Sequence, residues 1–180
     1  MQWHDHYQLK EKHAFLSPSS YHWINYDEER LKMAYINNEN KQKGTALHAF
    51  AEFAIRNKIK LASHKKALNM FVNDAIGFDM QPEQTLYYSD NCFGTTDAIL
   101  FENQILRIHD LKTGISKPSF NQLYVYCALF CLEYNIKPSN ITFICRIYQF
   151  SGYEEIVVDY TYIDDIMSQI VACDRILDSM

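Results

Sequence analysis

The sequence predicts an α/β fold in which helices flank a mixed central β-sheet, on two kinds of observation. Apolar residues recur at helical spacing over 44–56, 67–78 and 162–177. Between those stretches, over 85–111 and again over 141–158, β-branched and aromatic residues gather in short runs bounded by turn residues. At 180 residues and 21.2 kDa the chain has the size of one domain with one core. The expected organisation is a single domain over 1–180, with 1–40 as a helical N-terminal extension.

In chain order, Ser17-Pro18-Ser19-Ser20 is a turn and helix-start signal, and Asp27-Glu28-Glu29 opens a helical stretch with carboxylates near its positive end. Two helices are expected before residue 60. Residues 44–56 set Leu47, Phe50, Ala51, Ala54 and Ile55 on one apolar stripe, and 67–78 do the same with Leu68, Phe71, Val72 and Ile76. Strands are expected over 85–88, 95–101 and 104–111, with Glu102-Asn103 as a tight hairpin connection, so that the three form an antiparallel meander. Gly114 and Pro118 end the extended run. A strongly apolar helix over 122–134 stops at Asn135 and Pro138. Strands over 141–150 and 156–158 come next, and an amphipathic helix over 162–177 closes the chain with Ile163, Ile166, Ile170 and Ile176 inward.

Composition narrows the function classes. The 48% hydrophobic and 22% charged fractions are those of a folded soluble protein, and no apolar run approaches the roughly 20 residues that span a bilayer. A membrane partner is not expected. Met1 to His6 lack the charged start and apolar stretch of a secretion signal, so a cytoplasmic location is expected. The five cysteines are an odd number without a CxxC pair, which argues against a disulfide framework and a structural zinc site. Cys127 and Cys131 would share a helix face, but two thiols alone leave a metal site half built.

The formal net charge of -5 speaks mildly against a nucleic-acid partner, since phosphates are held by Lys and Arg. The distribution changes that reading. Residues 1–66 carry a net +4 and 67–180 a net -9, so one end offers a phosphate-facing surface and the other concentrates carboxylates. Ordinary solvated faces would also give this asymmetry.

The residues that carry chemistry lie on adjacent strands. Asp97 falls in the second strand and Asp110-Leu111-Lys112 at the end of the third. Alternation projects Asp110 and Lys112 from one side and turns Leu111, and His109, the other way. Two carboxylates and the Leu111 carbonyl are hard oxygen ligands of the kind Mg²⁺ takes, and a lysine beside them can orient or deprotonate an attacking water. A strand ending in a surface ion pair would show the same DxK. His48 and Glu52, four apart, share a helix face suited to adding N and O ligands, although helix-surface His–Glu pairs have that spacing too. Gln122 and Tyr126 are likewise four apart, where an amide and a phenol can hold a phosphate or a water, or simply fill the core.

Taken in order, these blocks resemble the RecB-type branch of the PD-(D/E)XK nuclease superfamily over roughly residues 44–130. Gly44 to His48 with Glu52, Gly94 to Asp97, Asp110 to Lys112 followed by Thr113-Gly114, and Gln122 to Tyr126 match its GxxxH helix, G-x-x-D strand, D-x-K strand and QxxxY helix. The compact form is similar to phage-encoded members. The resemblance implies a restriction-endonuclease-like core and a Mg²⁺- or Mn²⁺-dependent deoxyribonuclease, an exonuclease on linear DNA in phage replication or recombination, acting in the host cytoplasm. A structure-specific or restriction-like endonuclease, and a nucleic-acid-binding or protein-interaction module that has lost catalysis, are the alternatives. By resemblance, His48, Asp97, Asp110 and the Leu111 carbonyl bind the ion, Glu52 supports the site, Lys112 is catalytic, and Gln122 and Tyr126 place the substrate. No iron-sulfur cluster is expected, because only Cys173 lies near the C-terminus. DNA is the expected partner, with a second copy or a replication or recombination protein supplying any processivity. Lys41 and Lys43, just before the His48 helix, are the candidate phosphate contacts.

Overall fold

The computed structural model describes residues 15, 16 and 18–180. The readings made on Met1 to His6 and on Ser17 lie outside the described residues. The chain divides into two compact units, residues 1–45 and 46–180.

In the first unit a 3₁₀ helix over Pro18–Asn25 is followed by the start of α1 (Glu28–Arg56). Asp27 caps α1: its Oδ1 accepts the Arg30 N–H at 2.8 Å, satisfying one of the donors a helix start leaves open. α1 is one helix of 29 residues where two were expected. Gly44 lies inside it in helical conformation, so the expected break does not occur. Phe15 meets Tyr35 edge-on with ring centroids 5.2 Å apart.

The second unit is built on a five-stranded mixed sheet in the order β1 (Gln81–Ser89), β2 (Cys92–Glu102), β3 (Ile105–Leu111), β4 (Thr142–Gln149), β5 (Gly152–Val158). Helices flank it: α2 (Ala67–Gly77), α3 (Asn121–Glu133) and α4 (Tyr160–Asp178), with the end of α1. β1, β2 and β3 form the expected antiparallel meander. β3 and β4 are parallel, because the chain crosses back through α3 between them, and β5 returns antiparallel to β4. The β2–β3 turn is Asn103-Gln104, one residue later than expected. Both have positive φ, 50° and 62°, the geometry a two-residue hairpin requires. β1 begins at Gln81, ahead of the expected 85, since an edge strand tolerates Pro82.

Two apolar layers hold the sheet. On one side Leu106, Ile108, Phe143, Cys145 and Ile147 pack against Leu123 and Cys127 to Cys131 of α3, with Ile163 of α4 behind them. The Cys127 and Cys145 sulfurs, both buried, lie 3.7 Å apart within this layer. On the other side Leu111, Tyr148 and Ala98 pack against Phe71, Val72 and Ala75 of α2 and Ala51, Ala54 and Ile55 of α1. Leu47 and Phe50 do not join that layer. They are 38% and 45% exposed, because the small face of Ala51 and Ala54 is the one that fits against α2. Ile176 is exposed as well: along α4 the inward line Ile163, Ile166, Ile170 continues to Asp174, which is buried and accepts from Ser89 Oγ at 2.6 Å and Asn91 Nδ2 at 3.1 Å.

The α2 side also carries a polar group of closed composition. Arg146 donates to Asp74 at 2.8 Å and to Glu155 at 2.6 Å and 2.8 Å, and its guanidinium lies 4.2 Å from the centre of the Tyr153 ring. The Tyr148 hydroxyl donates to Asp74 at 2.7 Å and lies 3.2 Å from His109 Nδ1. Burial, reinforced by Arg146 and Arg107, pushes the His109 pKa down to about 3, so this imidazole is neutral. Among the described residues no helix is long and apolar enough to cross a membrane.

Candidate active site

Strand register assembles the site. The β2–β3 ladder pairs Ala98 with His109, and one step further Asp97 comes opposite Asp110. Across β2, the pairs Pro82–Ala98 and Gln84–Thr96 leave Glu83 opposite Asp97. Glu83, Asp97 and Asp110 thus form a row of carboxylates over three adjacent strands. Glu83 holds a φ of 49°, a left-handed conformation uncommon outside glycine.

Asp97 is fixed from two directions. Its Oδ2 accepts the backbone N–H of Leu111 at 2.7 Å, and its Oδ1 lies 3.2 Å from His48 Nδ1 on α1. One ligand atom each from His48, Glu83 and Asp97 lie within 4.8 Å of one another. Asp110 is only 3% exposed. The Lys112 ammonium is 3.1 Å from its Oδ1 and 2.9 Å from its Oδ2, but only Oδ1 receives a well-directed hydrogen bond, and Oδ2 is buried without one.

The electrostatics follow from crowding. Burial first, then the charge of Asp97, pushes the Asp110 carboxyl above its ordinary range against the pull of Lys112. Burial likewise raises Glu83, with Asp97 and Glu52 adding to it. His48 is raised, chiefly by its hydrogen bond to Asp97. Burial is the first cause for both carboxyls and neighbouring negative charge the second, while the imidazole is held by its hydrogen bond to Asp97. An imidazole nitrogen with carboxylate oxygens from adjacent strands is a donor set that fits a divalent ion of the Mg²⁺ or Mn²⁺ kind.

Lys112, Gln122 and Tyr126 form a chain beside this row. Lys112 Nζ lies 2.8 Å from Gln122 Oε1, Gln122 Nε2 lies 3.2 Å from the Tyr126 hydroxyl, and that hydroxyl lies 2.6 Å from the Thr95 carbonyl oxygen on β2. The Tyr126 ring rests on Gly94, where a Cβ would come within 3.0 Å of the ring.

Sequence reading named His48, Asp97, Asp110, Lys112, Gln122 and Tyr126, and the fold brings all of them together. Leu111 joins through its N–H to Asp97. Glu52 pairs with Arg56: its Oε1 accepts from Arg56 at 2.8 Å, and Arg56 donates on to the Pro82 carbonyl at 3.2 Å, so the pair fastens α1 beside Glu83. Lys41 and Lys43 are exposed residues of the first unit. Glu83 was not anticipated at all. Comparison with family models, with curated proteins and with solved structures finds no match for this chain.

Proposed function

We propose that this chain is a divalent-metal-dependent deoxyribonuclease of the PD-(D/E)XK kind, with a restriction-endonuclease-like core, acting as an exonuclease on linear DNA. One observation carries the reading: ligand atoms of His48, Glu83 and Asp97 converge within 4.8 Å of one another, with the buried Asp110 carboxylate and Lys112 on the neighbouring strand. An ion pair that merely closed a strand would need no such convergence of an imidazole with carboxylates from other strands.

In this reading His48, Glu83 and Asp97 hold the cation, with Asp110 facing it from β3. A bound divalent ion supplies Lewis acidity and lowers the pKa of a water molecule. The protein residues supply the rest. Asp97 and the Leu111 N–H keep the ends of β2 and β3 in register, and Lys112 offers positive charge to a phosphate oxygen. Water adds to phosphorus, one ester P–O bond breaks, and the products are a phosphate monoester and a hydroxyl.

Incubation of linear and closed circular DNA with Mg²⁺, Mn²⁺ or EDTA tests it. Loss of the linear form alone, only with metal, and in wild type but not in Asp110→Ala, is the expected result. Opening of the circle would make the enzyme an endonuclease. Intact DNA under every condition would leave a binding module and end the nuclease reading.

A further inference from the structure

Proton positions along the chain from Lys112 to Thr95 are not free to vary. The Tyr126 hydroxyl has one proton, and the Thr95 carbonyl 2.6 Å away can only accept, so the hydroxyl donates there. Its oxygen must then accept from Gln122, which turns the amide nitrogen toward Tyr126 at 3.2 Å and leaves the amide oxygen toward Lys112 at 2.8 Å. A flipped amide would set NH₂ against the lysine ammonium and oxygen against an oxygen whose proton is already used. Only one arrangement therefore satisfies every group. Lys112 is held between Gln122 Oε1 at 2.8 Å and the Asp110 carboxylate, whose two oxygens lie 3.1 Å and 2.9 Å from its Nζ.

We propose that Gln122 and Tyr126 are positioning residues for Lys112 and do not themselves contact the substrate: the tyrosine hydroxyl sets the direction of the amide, and the amide aims the ammonium. The bearing on cleavage rests on the nuclease reading; the aiming of Lys112 does not. Gly94 belongs to the device, since a Cβ there would come within 3.0 Å of the Tyr126 ring and press it out of place.

The experiment combines kinetics with a spectroscopic signature. In metal-free wild type, ¹⁵N NMR of lysine-labelled protein is expected to show a slowly exchanging Lys112 Nζ signal. That signal should vanish in Tyr126→Phe and in Gln122→Ala, a change at an exposed position that leaves folding intact. In cleavage assays Tyr126→Phe should lower kcat by about tenfold to a hundredfold, the cost of a misplaced catalytic group, with KM nearly unchanged. A carboxylate accepts at both oxygens and needs no hydroxyl to set its direction. Adding Tyr126→Phe to Gln122→Glu should therefore cost no further activity. An equal loss in both backgrounds, a raised KM with unchanged kcat, or a Lys112 signal that survives Tyr126→Phe and Gln122→Ala would each overturn the proposal. Wild-type protein that cleaves no DNA yet shows the signal, and loses it in both variants, would overturn the nuclease reading and uphold the positioning role.

Discussion

His109 and Asp110 are neighbours on β3, both buried, and each keeps one polar side-chain atom without a hydrogen bond, yet they face opposite layers. On the α2 side the charges close on one another. Arg146 is shared by Asp74 and Glu155, Tyr148 bridges Asp74 and His109, and His109 is neutral. On the α3 side Glu83, Asp97 and Asp110 face one lysine and one imidazole, and both Glu83 and Asp110 have raised pKa values. The α2-side carboxylates have an arginine and a tyrosine hydroxyl of the same fold as partners, whereas the raised carboxyls beside Lys112 and His48 are relieved by a proton or a cation. The same strand thus carries a structural network on one face and a site on the other.

The largest expected effect comes from changing the open side. Asp110→Ala should abolish cleavage and weaken metal binding, and Lys112→Ala should abolish cleavage while metal binds as well as before or better, because a positive charge beside the cation has gone. Calorimetric titration with Mn²⁺ separates the two, and wild-type cleavage by Lys112→Ala would remove that residue from catalysis. Changing the closed side should act on folding instead. Arg146→Ala leaves Asp74 and Glu155 without their shared partner and should cost about 3 kcal/mol, the low end for a broken buried pair because both carboxylates are about a third exposed. Urea unfolding measures it, with metal affinity in the folded protein unchanged. A stability loss as large in Asp110→Ala would erase the distinction between the faces.

A smaller effect distinguishes the faces by pH. Raised pKa values mean that folded protein holds the Glu83 and Asp110 protons more tightly than the unfolded chain does, so these groups penalise folding as pH rises past the ordinary carboxylate range. His48 acts in the same direction: its extra stability is complete below the ordinary imidazole value of 6.5 and is lost as pH rises through its raised folded value. His109 opposes these groups at the acid end, because with a folded pKa of about 3 only the unfolded chain takes up its proton below 6.5, so their effect is read above about pH 7, where metal-free protein should melt lower as pH rises. Divalent ions bind the deprotonated donors, so Mn²⁺ at a hundred times its Kd should restore about 2.7 kcal/mol at the higher pH and little at the lower. Thermal melts with EDTA or Mn²⁺ read this directly. His48→Ala should reduce the preference for Mn²⁺ over Mg²⁺, since imidazole suits the softer ion.

Much of the site was legible because strand alternation is a strict rule. It put Asp110 with Lys112 and turned His109 and Leu111 away, and β3 does so. Helical spacing paired Gln122 with Tyr126 equally well. Glu83 escaped because the expected strand began at 85 and left it outside, and the register holds a second obstacle. Counting back from the Ser89–Cys92 pair at the hairpin end puts Gln84 opposite Asp97, and the register shift between Tyr87 and Ser89 moves Glu83 there. Polar spacing alone carries no sign of such a shift. The spacing that pairs Glu52 with His48 also pairs it with Arg56 at i and i+4, and the second pairing is the one the structure makes. The stripe on α1 was drawn from hydrophobicity, but close helix packing selected the small residues Ala51 and Ala54 over Leu47 and Phe50.

β1 is an edge strand, and the features that make it irregular also guard it. Open edges invite pairing with strands of other molecules, which is how many sheet proteins begin to aggregate. Pro82 has no N–H to offer, the left-handed turn at Glu83 interrupts the repeat, and the Tyr87 N–H is already spent on Glu133 at 2.9 Å. The carboxylate that the nuclease reading assigns to the metal thereby also helps keep the chain from adding to its own kind, so a substitution at Glu83 that straightened the strand should promote aggregation.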